Sequence, residues 1–133
     1  MYLADTNIFI EVLLQQQKYK EAKQFLDNIP SGKLYLTEFS LYSIGILLTR
    51  QKRYDDFIRF IKDIALNPGI RVIRLSGKEL EAISNFTQKF NLDFDDAYQY
   101  TVAEKLNLTI VSFDKDFDKT DRGRKLPAEI INP

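Results

Sequence analysis

The feature that most constrains this chain is an alternation of two patterns: short apolar runs recur between longer segments whose apolar residues step by three and four. Runs of a few residues suit strands covered on both faces, and strands separated by helical segments pair in parallel. The pattern predicts an α/β fold, a three-layer sandwich with a central parallel sheet of four to five short strands flanked by helices. The candidate strands are Tyr2 to Ala4, Leu34 to Leu36, Ile70 to Arg74, Leu108 to Phe113 and Glu129 to Ile131.

The helices between them carry their own signals. Tyr54, Phe57, Ile58, Ile61, Ile64 and Ala65 line one face of an amphipathic helix that Asn67-Pro68-Gly69 ends. Ser76 and Glu79 have the spacing of a capping box ahead of Leu80, Ile83 and Phe90. Tyr19, Ala22, Phe25 and Leu26 mark another helix, closed by Pro30-Ser31-Gly32. The segment Phe39 to Leu48 is apolar nearly all round, which predicts a largely buried helix beginning after Thr37. At 133 residues, with no linker and no repeat, residues 1–133 read as one domain.

Composition narrows the chemistry. The chain has neither histidine nor cysteine, which excludes Ser-His-Asp triads, Cys-His pairs, disulfides and thiolate zinc sites. Its five glycines fit neither common nucleotide-binding fingerprint. Lysine plus arginine balance aspartate plus glutamate at 19 each, so an anionic partner must be met by a local patch. No basic lead precedes a long apolar run, so the expectation is a cytoplasmic protein without a membrane partner.

Carboxylates remain, and they fall at informative places. Asp5 interrupts an apolar run directly after the first strand, Asp114 follows Leu108 to Phe113, and Asp93, Asp95 and Asp96 open the helix Asp96 to Leu106. A parallel sheet brings its carboxyl ends to one edge, where open α/β folds bind ligands. Each acid has an ordinary alternative as a helix cap or a solvated turn. Jointly they favour a hard divalent cation such as Mg²⁺, since clustered carboxylates repel one another and oxygen is the ligand such ions prefer.

The same residues resemble the PIN-domain family of metal-dependent nucleases, which includes the toxin ribonucleases of VapBC-type pairs. Leu3-Ala4-Asp5-Thr6-Asn7 is similar to the family's first motif, Asp95-Asp96-Ala97 to its Asp-Ala helix start, and Ile110-Val111-Ser112-Phe113-Asp114-Lys115-Asp116-Phe117 to its strand-end motif. Ile130-Ile131-Asn132-Pro133 resembles the usual last strand. The resemblance implies Asp5, Asp96 and Asp114 as catalytic and metal-holding groups for Mg²⁺ or Mn²⁺, with Asp116 or Asp93 as further candidate ligands. Thr6, Asn7, Ser43 and Ser112 would stand behind the carboxylates and orient them. The implied reaction is hydrolysis of RNA to a 5′-phosphate and a 3′-hydroxyl, and the implied partners are an antitoxin protein and a second copy of the chain. Arg50, Lys52 and Arg53, with Arg122, Arg124 and Lys125, are candidate RNA contacts, against solvated loop charge as the simpler reading.

One departure stands out. The family usually carries a glutamate six residues past a Ser or Thr on the helix after the second strand, and six from Thr37 is Ser43. Glu38 lies five residues earlier, roughly 140° away round the helix axis at about 100° per residue. The alternative reading is therefore a catalytically weakened domain that binds RNA or a protein. A phosphoacceptor module is a third, less favoured because Asp5 has no acidic neighbour after the first strand.

Overall fold

Four of the five apolar runs become strands. In a computed structural model, which describes every residue from Met1 to Pro133, β1 (Tyr2–Ala4), β2 (Leu34–Thr37), β3 (Ile70–Ile73) and β4 (Thr109–Val111) form one sheet in the order β3-β2-β1-β4. All pairings are parallel, and Leu3 lies opposite Tyr35 on one side and Ile110 on the other. The helices are α1 (Thr6–Leu13), α2 (Tyr19–Asn28), α3 (Glu38–Arg50), α4 (Tyr54–Phe60), α5 (Glu81–Phe90), α6 (Phe94–Leu106) and α7 (Pro127–Ile131). A π-helical turn, Ile61–Ala65, prolongs α4, and a 3₁₀ turn covers Lys115–Lys119.

Side chains alternate across each strand, and this builds the three layers. Leu3 and Ile110 face one side and pack with Ile83, Phe90, Tyr100 and Val102 of α5 and α6. Ala4, Leu34, Leu36 and Val111 face the other and pack with Ile8, Phe9, Phe25, Ile44 and Phe60. Each fully buried aliphatic or phenyl side chain contributes about 1.5–3 kcal/mol relative to exposure, so the sheet is held from both faces. Gly45 lets α3 and α4 approach closely, since a Cβ there would stand 3.2 Å from the Phe57 ring.

Three expectations are corrected. Glu129 to Ile131, predicted as a strand, lies in α7, so the sheet has four strands. Pro127 begins that helix with its fixed φ, and the Glu129 carboxylate accepts a 2.7 Å bond from the Leu126 N–H, which favours a first helical turn. A single parallel bridge, Val111 to Lys125, is all that extends the sheet beyond β4. Second, α3 is not largely buried: Ser40, Ile44 and Leu48 face inward while Tyr42 and Ile46 are more than half exposed. Third, the apolar run after Asn7 is helix α1, which the sequence reading left unassigned.

The topology fixes where a site can form. Chain connections lead from β1 to β2 on one side, while β4 returns to pair with β1 on the other. The carboxyl ends of β1 and β4 therefore flank a crevice at the point where strand order reverses. Helix α3 starts at this edge directly after β2, and α6 runs back to feed β4, which puts its first turn there as well.

Candidate metal centre

Asp5 occupies the first position after β1 and is the N-cap of α1. Its Oδ1 accepts bonds from the Thr6 N–H at 2.8 Å and Gln99 Nε2 at 3.1 Å. Its Oδ2 accepts from Ser112 Oγ at 2.7 Å and Asn7 Nδ2 at 3.3 Å. The capping role and a place in the cleft thus coexist in one residue. Burial raises its carboxyl above the usual range, the donors Ser112, Thr6 and Gln99 pull it down, and the Asp114 charge pushes it up again.

Hydrogen-bond directions around Asp5 follow from its acceptor-only chemistry. Ser112 Oγ accepts from Asn7 Nδ2 at 3.1 Å and from the Asp114 N–H at 2.9 Å, so its own hydrogen goes to Asp5. Asn7 Oδ1 accepts from the Phe113 N–H at 3.3 Å, which ties the end of β4 to the start of α1. On the opposite wall, Ser40 Oγ receives Gln99 Nε2 at 2.6 Å and Thr37 Oγ1 at 3.2 Å, and pairs with Thr6 Oγ1 at 2.7 Å. Thr37 also caps α3 by accepting the Ser40 N–H at 3.0 Å.

Asp96 lies in the first turn of α6 and is 6% exposed. Burial first, then the charges of Asp114, Asp5 and Asp95, push its carboxyl up to about 8. Carboxylate oxygens of Asp96, Asp114 and Asp116 lie within 4.8 Å of one another, with Asp96 buried, Asp114 half-buried and Asp116 exposed. Asp114 holds the turn that places Asp116, through a 2.8 Å bond from the Asp116 N–H to its Oδ1. This all-oxygen, anionic donor set suits Mg²⁺ or Mn²⁺ and no soft metal.

The cleft over these acids has a volume of about 260 Å³ and is bordered by Asp5, Thr6, Ser43, Asp96, Gln99 and Asp114 among others. At about 30 Å³ per water it admits a hydrated ion and a phosphate group, so a polymer would lie across it rather than inside it. Ser43 borders the same cleft as the acids. Asp93 is exposed, makes no side-chain cap bond to α6 and is outside the three-carboxylate group.

The basic candidates are dispersed. Arg50, Lys52 and Arg53 sit at the far end of α3, which at about 1.5 Å per residue is some 20 Å from its start at the cleft edge. Arg53 is engaged by Asp56 at 2.7 Å. Arg122 bonds Glu104 and the Leu108 carbonyl at the opposite edge of the sheet. Lys125 is exposed, and Arg124 pairs with Asp118 at 3.0 Å while donating to the Ser112 carbonyl at 3.1 Å. Of the six, Arg124 is the one whose side chain bonds Ser112, the residue that donates to Asp5.

An open parallel sheet that gathers buried and half-buried carboxylates at its switch point defines an α/β domain with an acidic cleft where such folds bind ligands. The PIN-domain family model matches residues 2–123, and the chain belongs to that family, one of nucleases. No curated protein matches it by sequence. Among solved structures it is similar to a toxin-antitoxin complex from Klebsiella pneumoniae, with a TM-score of 0.75 and 23% identity over 96% of this chain and 98% of that one. It is also similar to the Mycobacterium tuberculosis toxin VapC20, described as cleaving the sarcin-ricin loop, with a TM-score of 0.81 and 17% identity over 96% and 100% of the two chains. FitAcB from Neisseria gonorrhoeae follows with a TM-score of 0.74 and 18% identity over 96% and 98%. These likenesses establish the fold.

Gln99 and Ser40 were absent from the sequence reading. Gln99 had one signal, its place three residues after Asp96 on the same helix face; Ser40 had none beyond its spacing from Thr37.

Proposed function

We propose that the chain is a Mg²⁺- or Mn²⁺-dependent endoribonuclease whose site is built by Asp5, Asp96 and Asp114, with Asp116 at its rim. The observation that carries this reading is the convergence of Asp96, Asp114 and Asp116 within 4.8 Å at the cleft that Asp5 borders, in a domain without histidine or cysteine. A bound divalent ion supplies activation of water and neutralisation of phosphate charge. The chain's own residues do the rest. Ser112 and Asn7 hold the Asp5 carboxylate in one orientation, and the first turn of α6 places Asp96 at the cleft. A strand of RNA would approach from the side of Asp116, the exposed member of the group.

Asp5→Asn tests the reading. Asparagine keeps the shape of the side chain and one acceptor oxygen, so the fold should survive while Mg²⁺-dependent RNA cleavage falls by about two orders of magnitude or more, on the scale of a lost catalytic electrostatic group. Cleavage equal to that of the parent chain would sink the assignment.

The likeness to toxins of toxin-antitoxin pairs supports a finer reading: a toxin held inactive by an antitoxin protein, in the cytoplasm, and dimeric through an apolar face. Tyr42 and Ile46 are each more than half exposed and border one largely apolar groove with Leu41, Phe57 and Ile61, which would supply such a face. Growth arrest on expression, relieved by Asp5→Asn, is the expected result. A second reading, a weakened domain that binds RNA or protein, is favoured by one observation: Ser43 borders the cleft and brings no charge to it.

A further inference from the structure

Two buried side-chain atoms lack a hydrogen-bond partner, Gln99 Oε1 and Arg122 Nε, and of these residues only Gln99 borders the acidic cleft. Gln99 is 1% exposed, and a buried amide acceptor without a partner costs about 1–3 kcal/mol. An apolar residue of similar length would fill the same space without that cost. The glutamine therefore calls for a ligand.

Its orientation follows from its neighbours. Ionised, as a metal-holding carboxylate is, Asp5 only accepts, so the amide atom 3.1 Å from Oδ1 carries the hydrogens. Exchanging oxygen and nitrogen would set two acceptors against each other. The same Nε2 donates its second hydrogen to Ser40 Oγ at 2.6 Å. Both donors of the amide are thus committed, and the oxygen is the atom left over. Gln99 lies one turn beyond Asp96 on the same face of α6, and the residue borders the cleft that the acids line.

Amide carbonyl oxygens are ordinary ligands of hard divalent cations. We propose that Gln99 Oε1 is a neutral oxygen ligand of the divalent ion held in this cleft, standing in for the acid that Ser43 does not supply. This inference rests on the metal-site reading above. It accounts for a buried, half-satisfied amide, and it gives the ion a further oxygen without another negative charge beside Asp5, Asp96 and Asp114.

The test titrates Mn²⁺ alone into the full chain by calorimetry, with thermal melting in the presence and absence of Mn²⁺. Gln99→Met removes donor and acceptor together and should weaken Mn²⁺ binding about tenfold or more, the scale of a lost ligand or its support. Gln99→Glu removes the donor but strengthens the acceptor; it should tighten Mn²⁺ binding by a similar factor, about tenfold, and gain more melting temperature from Mn²⁺ than the parent chain does. Weaker binding in both variants would overturn the proposal, because the amide would then serve only as a donor to Asp5. Unchanged binding in both would overturn it as well. Should Gln99→Glu fail to fold, the parent chain decides: its Gln99 side-chain amide NMR signals should move with Mg²⁺ at the midpoint of binding, and signals that stay still refute the assignment. Asp96→Asn separates the two levels. Lost binding in that variant with unresponsive Gln99 variants removes Gln99 alone, whereas binding retained in Asp96→Asn removes the metal site itself.

Discussion

Asp96 makes the acidic cleft a liability to the metal-free protein, and the liability has a sign that pH reveals. Its carboxyl is pushed from 3.8 in the unfolded chain up to about 8 in the folded one, by burial and then by Asp114, Asp5 and Asp95. Between these values the folded state holds a proton that the unfolded state has lost, so stability must fall as pH rises from about 4 to about 8. At about 1.36 kcal/mol per tenfold change in proton affinity, the rise from 3.8 to about 8 sets a ceiling near 5–6 kcal/mol, and access of water to the cleft keeps the effect well below it. Asp5, also raised by burial, adds in the same direction. Glu79, held down to about 2 chiefly by Lys105, acts in the opposite direction but only below about pH 4.5. Urea unfolding in chelator across pH 4.5 to 8.5 should therefore show declining stability for the parent chain and a markedly flatter profile for Asp96→Asn. Excess Mg²⁺ should restore stability at the alkaline end. A flat or rising parent profile in chelator, or the same slope in Asp96→Asn, would refute the reasoning.

Two further outcomes are expected. Ser43→Glu places a carboxylate at the cleft wall that lacks one and should tighten Mn²⁺ binding about tenfold or more, read by calorimetry, with cleavage rising alongside; a parent chain already at full activity would show that an acid there is dispensable. Because Arg50 and Lys52 end α3 far from the acids, the double change Arg50→Ala with Lys52→Ala should leave RNA affinity and its salt slope unchanged within error, whereas a slope shallower by one or more would place phosphates on that loop.

How much was legible in the sequence depends on what kind of signal each element leaves. The strands β1 to β4 were readable because a doubly covered strand is apolar without interruption, and Asp5 and Asp114 stood out as the residues that end such runs. Glu129 to Ile131 misled because so short an apolar segment carries no period, and Pro127 with the Glu129 cap decides for a helix. Helix α3 misled in the opposite way: Tyr42 and Ile46 are apolar in type yet exposed, so an all-round apolar pattern did not mean burial. Gln99 left almost no trace because α6 is buried on most sides, and a polar residue inside such a helix breaks no pattern that a sequence displays. Its significance lies in bonds to Asp5 and Ser40, far from it in the chain, which only folding brings to it.

The pairing of β1 with β4 has a consequence for the protein during its synthesis. The ribosome delivers Asp5 well before Asp114, and the strand that leads to the later acid must dock beside the one that leads to the earlier before the cleft exists. A nascent or truncated chain that lacks β4 has Asp5 but neither Ser112 to orient it nor Asp114 to complete the acidic group. Whatever chemistry the cleft performs therefore has to wait until β4 has been made and has docked beside β1.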